Sequence, residues 1–218
     1  MKILITGANR GIGLELCRQL SDRGDEVVAV CRVVSKQLNA LDLRVIEGID
    51  VSDAASVAGL KDQLGPGGLD WLINNAGILS VESLENLDFE AMERQFRVNA
   101  LGPLRVTRVL MPMLGPGSKI GIVTSRMGSV EDNTSGGYYG YRMSKAAVNM
   151  AGMCLARDLN SQRIAVALLH PGMVATEMTG SRGVPVEHSA SGLIKRMDAL
   201  GMSDSGSFWH AEGERLPW

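Results

Sequence analysis

Tyr141 and Lys145 stand four residues apart in the run Tyr141-Arg142-Met143-Ser144-Lys145, inside a stretch with helical patterning. Side chains at i and i+4 share one helix face, so a phenol and an ammonium project together. A neighbouring cation favours phenolate and lowers a tyrosine pKa by roughly 1–3 units, from about 10 toward the range where Tyr exchanges protons near neutrality. The pair is a candidate acid–base device. Tyr138 and Tyr139 are rivals without a lysine at that spacing, and are expected at a substrate entrance or packed on a loop.

The other end of the chain offers a place for a redox partner. Thr6-Gly7-Ala8-Asn9-Arg10-Gly11-Ile12-Gly13 directly follows the apolar run Lys2-Ile3-Leu4-Ile5 and opens a helical pattern. Glycines in such a turn let the backbone approach a pyrophosphate. The helix start then presents free N–H groups and partial positive charge. Gly7, Asn9, Arg10, Gly11, Ile12 and Gly13 are thus candidate dinucleotide contacts, although the spacing is G-x-x-x-G-x-G rather than G-x-G-x-x-G. In NAD-specific sites an acidic residue about 20 positions past the turn binds the ribose 2′-hydroxyl. Here Cys31 and Arg32 occupy that region, and Arg10 lies within the turn. Two guanidinium groups suit a 2′-phosphate, each charged hydrogen bond contributing roughly 1.5–3 kcal/mol. NADP(H) is therefore preferred, with NAD(H) second. Asp50 and Val51 would hold an adenine amino group beside an apolar wall; Asp50 equally suits an N-cap-like role before the helix that follows. Asn74-Asn75-Ala76-Gly77 ends another apolar run, where small residues and amides admit a cofactor, making Asn75, Ala76 and Gly77 candidates.

These groups must be held by a scaffold. Strands are predicted at 3–6, 26–31, 45–49, 71–74, 119–124 and 165–169, rich in Val, Ile and Leu without strict alternation. Such runs suit strands covered on both faces. Helical patterns at 13–23, 52–64, 89–114 and 141–160 alternate with them. Alternation of this kind predicts an α/β fold with a doubly wound parallel sheet. The 32–44 connection is short, so its helix is expected to be brief. The Gly- and Ser-rich segment 179–207, with an amphipathic piece at 191–200, is expected to form a short substrate lid. The tail 208–218 is expected to add a final strand and a capping contact.

A chain of 218 residues with 45% hydrophobic content fits a single domain spanning 1–218. Net charge is −2 without charged blocks, so no nucleic-acid or membrane-surface partner is expected. Three cysteines without Cys-x-x-Cys spacing suggest neither a disulfide framework nor a zinc site, and no metal is expected. No run approaches the ~20 apolar residues of a membrane span, and no signal-peptide core is visible. A cytoplasmic protein is the expectation.

Taken in chain order, these motifs resemble the short-chain dehydrogenase/reductase family: the glycine turn, Asn74-Asn75-Ala76-Gly77, Asn99, Ser125, Tyr141 with Lys145, and Pro171-Gly172-Met173-Val174-Ala175-Thr176. The resemblance spans most of the chain. Within the family the chain, including the ending Gly206–Trp218, resembles small C-signal-like or sniffer-type carbonyl reductases. It implies a Rossmann-type fold and hydride transfer between NAD(P)(H) and a carbonyl or alcohol. The family match assigns Ser125 and Tyr141 to the substrate oxygen, with Tyr141 as proton donor. Lys145 binds the nicotinamide ribose and tunes Tyr141, and Asn99 anchors a water that links Lys145 to solvent. Pro171, Gly172, Val174 and Thr176 are implied on the nicotinamide side, where Thr176 can bond the carboxamide. Ser129 rivals Ser125, which is preferred because it follows a strand directly, at the sheet edge where ligands bind. His170 reads as structural, and Met143, Met150, Met153 and Met173 as core or pocket wall.

The expectation is an NADPH-dependent carbonyl reductase or alcohol dehydrogenase with a roomy site, acting on small carbonyl or alcohol substrates as monomer or homodimer. The alternative is a low-turnover, cofactor-binding sensor of C-signal type. An epimerase would share the Tyr–Lys pair but needs a larger substrate domain.

Overall fold

A computed structural model describes all 218 residues, Met1–Trp218. Seven parallel strands form one sheet in the order β3-β2-β1-β4-β5-β6-β7. They are β1 (Lys2–Thr6), β2 (Glu26–Val30), β3 (Arg44–Ile46), β4 (Trp71–Asn74), β5 (Lys119–Val123), β6 (Ala165–His170) and β7 (Ser207–His210). Successive strand residues point to opposite faces, and each face has its own core. Ile3, Ile5, Ala29, Ile73 and Ala167 pack with α1 (Gly11–Asp22), the short α2 (Lys36–Asn39) and α8 (Val186–Ala199). Leu4, Val28, Leu72, Ile120 and Val166 pack on the other side. There they meet α3 (Ala54–Ala58), α4 (Leu60–Leu64), α6 (Gly102–Leu110) and α7 (Tyr139–Asp158). A wholly buried Leu or Ile contributes roughly 1.5–3 kcal/mol, which explains why alternation is absent from the strands. The remaining helix, α5 (Phe89–Phe96), packs beside α7.

The chain runs outward from β1 through β2 to β3 and then returns to place β4 on the other side of β1. Such a reversal opens a crevice at the carboxyl ends of β1 and β4. The doubly wound sheet is as the sequence predicted, and so is the brief helix after β2. Ser35 caps that helix by accepting the Leu38 N–H at 3.1 Å, and its hydroxyl donates to the Asn9 carbonyl at 2.6 Å. The predicted final strand is β7.

Three expectations need correction. The 52–64 pattern is two helices, broken at Gly59. The 89–114 pattern is also broken, by a π-helical turn at Arg97–Leu101. Pro103 causes this locally: it has no N–H to give to the carbonyl of Asn99, four residues earlier. The segment 179–207 is mostly not a lid. Ala190, Leu193 and Met197 of α8 are buried against the sheet beside α1, and only Ser181 and Val186 of that segment reach the crevice. No helix is long and apolar enough to cross a membrane.

Candidate active site

The crevice holds a cavity of about 990 Å³. Its floor begins at the turn after β1, which is stapled to the end of β4. Asn75 Nδ2 donates to the carbonyls of Thr6 (3.0 Å) and Gly7 (3.2 Å), while the backbone N–H groups of Asn75 and Ala76 donate to the Thr6 hydroxyl. This closeness explains the glycines. A Cβ at residue 13 would stand 2.3 Å from the Gly7 oxygen, and one at residue 7 would stand 2.8 Å from the Ala76 Cα. Arg10 precedes α1 and makes no side-chain cap bond, so the first-turn N–H groups face the cavity without a side-chain partner.

At the outer end, Arg10 and Arg32 line the cavity and are exposed. Arg10 Nη1 pairs with Glu177 at 2.5 Å. Asp50 lies near Arg32. Burial raises its carboxyl, but hydrogen bonds from Ser52 and the charges of Arg32 and Arg97 outweigh this and hold it below the usual carboxylate range. One Asp50 oxygen accepts both the Ser52 N–H (2.8 Å) and hydroxyl (2.7 Å), a turn rather than a helix cap, and Asp53 caps α3 instead. Val51 and Ile49 form the adjacent apolar wall.

At the inner end, Tyr141 and Lys145 on α7 reach the cavity, only 9% and 4% exposed. Lys145 Nζ donates to the Val123 carbonyl at 3.0 Å, and stands 5.7 Å from the centre of the Tyr141 ring. Ser125 follows β5 and is buried, its hydroxyl accepting the Met127 N–H at 3.1 Å and lying close enough to the Tyr141 phenol to act on its pKa. A tight turn at Arg126–Gly128 sets this approach. Its Gly128 packs so closely on α7 that a Cβ there would stand 2.7 Å from the Lys145 carbonyl carbon. Ser129, the rival serine, is buried and accepts the Asp132 N–H at 3.0 Å. Asn99 sits in the π turn. It donates to the Ile78 carbonyl (2.9 Å) and the Ser144 hydroxyl (3.0 Å), and accepts the Ile78 N–H (2.9 Å). It therefore ties the chain after β4 to the residue preceding Lys145. Gly77 leaves room where Asn99 Oδ1 and Lys145 Nζ converge.

The expected lowering of the Tyr141 pKa by Lys145 is not what the structure yields. Burial pushes the phenol up, with the Ser125 hydroxyl pulling it partly back. Burial also brings the Lys145 ammonium down to about 8. Both groups are out of water, and at this separation desolvation outweighs their mutual attraction.

Every residue expected at the cofactor lines this cavity except Gly172 and Val174. Pro171, Ala175 and Thr176 take part in the wall. Gly172 instead borders a separate hollow of about 220 Å³ beside His210, and buried Val174 bridges to Val184. The sequence reading missed Ile78, Leu79, Thr124, Glu177 and Met178, all of which line the cavity. Each lies within two residues of a motif residue, and that proximity is the available signal. His170 is half-buried and held down at about 3 by desolvation and by the charges of His210, Arg126 and Lys145, in keeping with a neutral structural residue.

Comparison with known proteins agrees with this layout. The short chain dehydrogenase family model matches residues 1–185. A 1-hydroxy-2-glutathionyl-2-methyl-3-butene dehydrogenase of Rhodococcus sp. (strain AD45) is 44% identical over 225 residues, covering 99% of each chain. C-signal of Myxococcus xanthus is 44% identical over 156 residues, 70% of this chain and 94% of its own. The crystal structure of NADPH-bound carbonyl reductase from chicken fatty liver matches with a TM-score of 0.90 at 31% identity, over 100% of this chain and 98% of that one.

Proposed function

The chain belongs to the short-chain dehydrogenase/reductase family, and from that premise we propose that it is an NADP(H)-dependent oxidoreductase interconverting small carbonyl compounds and alcohols. The observation that carries this reading is that Tyr141 and Lys145 line the inner end of one cavity with Ser125 buried beside Tyr141, while Arg10 and Arg32 line its outer end. The cavity volume and the open start of α1 fit a dinucleotide, and an NADPH-bound relative shares the fold. In this reading Gly7, Asn9, Gly11, Ile12 and Gly13 hold the pyrophosphate at the helix start. Arg10 and Arg32 take the 2′-phosphate, Asp50 and Val51 the adenine, and Asn75, Ala76, Gly77, Lys145, Pro171 and Thr176 the nicotinamide half. Bound there, the nicotinamide supplies the hydride chemistry.

The protein's own work is proton transfer and orientation. During reduction the Ser125 hydroxyl and the Tyr141 phenol donate hydrogen bonds to the carbonyl oxygen. As negative charge grows on that oxygen, the phenol proton moves across, a transfer worth roughly 10²–10⁴ in rate. The raised phenol pKa keeps that proton in place at neutral pH. The Lys145 cation stabilises the phenolate left behind, and Asn99 ties the Ile78 backbone to the Ser144 hydroxyl next to it. In the alcohol-oxidising direction the same groups act in reverse.

Two relatives sharpen the alternatives. The Rhodococcus relative is a dehydrogenase of an alcohol whose neighbouring carbon bears a glutathionyl group, which supports a bulky thioether alcohol as one substrate for this chain. The likeness to C-signal supports a second reading as a cofactor-binding sensor with little turnover. Purified protein with NADPH or NADH and a panel of carbonyl compounds, and with NADP and thioether alcohols, tests all three. Turnover with NADPH supports the enzyme, whereas tight cofactor binding without turnover across the panel supports the sensor.

A further inference from the structure

The helix that carries Tyr141 and Lys145 begins badly. Its N-cap residue, Tyr138, holds φ +53° and gives no side-chain cap bond. Left-handed backbone in a bulky residue is strained. The opening N–H groups of a helix have no partner within it, and Tyr141 lies in that first turn. The missing cap comes from far away in sequence. The carbonyl of Glu82 accepts the Tyr138 N–H at 2.9 Å, and its carboxylate Oε2 accepts the Gly140 N–H at 3.2 Å.

Glu82 is 2% exposed and forms no salt bridge with Lys, Arg or His. A buried carboxylate is costly unless its charge is met. Here donors meet it. Ser80 Oγ and Gln95 Nε2 (2.8 Å) donate to Oε1, and the positive start of α7 meets Oε2. Gln95 on α5 also accepts the Ser80 N–H at 3.0 Å. The knot therefore joins three pieces: the 75–88 loop leaving the cofactor strand, α5, and the first turn of α7. Position 140 admits no side chain, because a Cβ there would stand 2.4 Å from Gln95 Nε2.

We infer that Glu82 is a positioning residue for the proton donor: it caps α7 in trans and holds the Tyr141 phenol at the substrate oxygen. The inference rests on Tyr141 being that donor. It predicts a defect in turnover rather than in cofactor affinity, since the phosphate turn and the two arginines lie elsewhere. Glu82→Gln replaces an all-acceptor group by one with two N–H donors, which must face either the Gly140 N–H or the Ser80 hydroxyl and Gln95 amide, groups that all donate to Glu82. A misplacement of about 1 Å at a reacting group costs up to about 100-fold.

The experiment compares the full-length protein with Glu82→Gln, the exchanged pair Glu82→Gln/Gln95→Glu, and Tyr141→Phe. Turnover is measured on the best carbonyl substrate, NADPH affinity by fluorescence titration, and folding by circular dichroism. Glu82→Gln should lower kcat by about 10–100-fold with the NADPH Kd changed less than about twofold. The exchanged pair, in which residue 95 supplies the acceptors and residue 82 the amide, should recover most of kcat. A folded Glu82→Gln protein with unchanged kcat overturns the inference. So does a parallel loss of kcat and NADPH affinity that the exchanged pair leaves uncorrected, because that is general damage. If Glu82→Gln does not fold, Glu82→Asp, which keeps the carboxyl group but is one methylene too short for Gly140, is judged by the same criteria. A Tyr141→Phe protein that keeps its turnover would instead overturn the assignment of the proton donor, an outcome distinct from those for Glu82.

Discussion

The two ends of the cavity are built on different physical terms. At the inner end Tyr141 and Lys145 are buried beside the equally buried Ser125, and their positions are set by α7, β5 and the tight turn after it. At the outer end Arg10 and Arg32 are exposed, and Arg10 leans on Glu177, itself 78% exposed on its side chain. Buried groups act in a low dielectric, where each hydrogen bond is strong and an unmet one is costly. Exposed charges are screened by salt and water, and an ion pair between them contributes little. Reaction chemistry is therefore expected to tolerate almost no change, whereas cofactor preference should be tunable by single charges.

The sharpest break of this contrast is Tyr141→Phe. It should remove roughly 10²–10⁴ of kcat while leaving the NADPH Kd nearly unchanged. Steady-state kinetics with a binding titration checks this, and equal losses in both would erase the distinction between the two ends. Next comes Arg32→Asp, which exchanges attraction for repulsion at the 2′-phosphate. The ratio of kcat/KM with NADPH to that with NADH should fall by about 10–100-fold, the scale of one charged hydrogen bond, with the best kcat retained. An unmoved ratio would remove Arg32 from the cofactor site.

A smaller effect should appear in the pH profile. Lys145, brought down to about 8 by burial, loses its charge as pH rises through that value. Tyr141, pushed up by burial, keeps its proton there. Hence kcat/KM for reduction should be level near neutrality and fall to roughly a tenth by one unit above the lysine's pKa. A profile flat through about pH 9 would contradict the buried cation. The least effect belongs to Glu177→Gln. Freeing Arg10 from its exposed partner should tighten NADPH by less than about fivefold, in proportion to the modest worth of surface ion pairs, and added salt should shrink the difference. Isothermal titration at low and high salt measures it.

Much of this was legible in the residues alone. Val-, Ile- and Leu-rich runs alternating with helical patterns identified the strands from β1 to β6, because burial on both faces leaves a local signature that needs no partner to be recognised. Tyr141 with Lys145 and the Gly7–Gly13 turn were equally legible, since each function depends on spacing within one helix or one turn. Tertiary structure decided the rest. The π turn at Arg97–Leu101 was legible only as Pro103, and the helix α8 read as a lid until its apolar face was seen against the sheet and α1. The pKa of Tyr141 depends on how far water is excluded, a property of the assembled core and not of an i, i+4 pair. Glu82 reads as an ordinary loop carboxylate in the sequence. Only the fold brings it, across 58 positions, to the start of α7, because hydrogen bonds between distant segments leave no periodic trace in the chain.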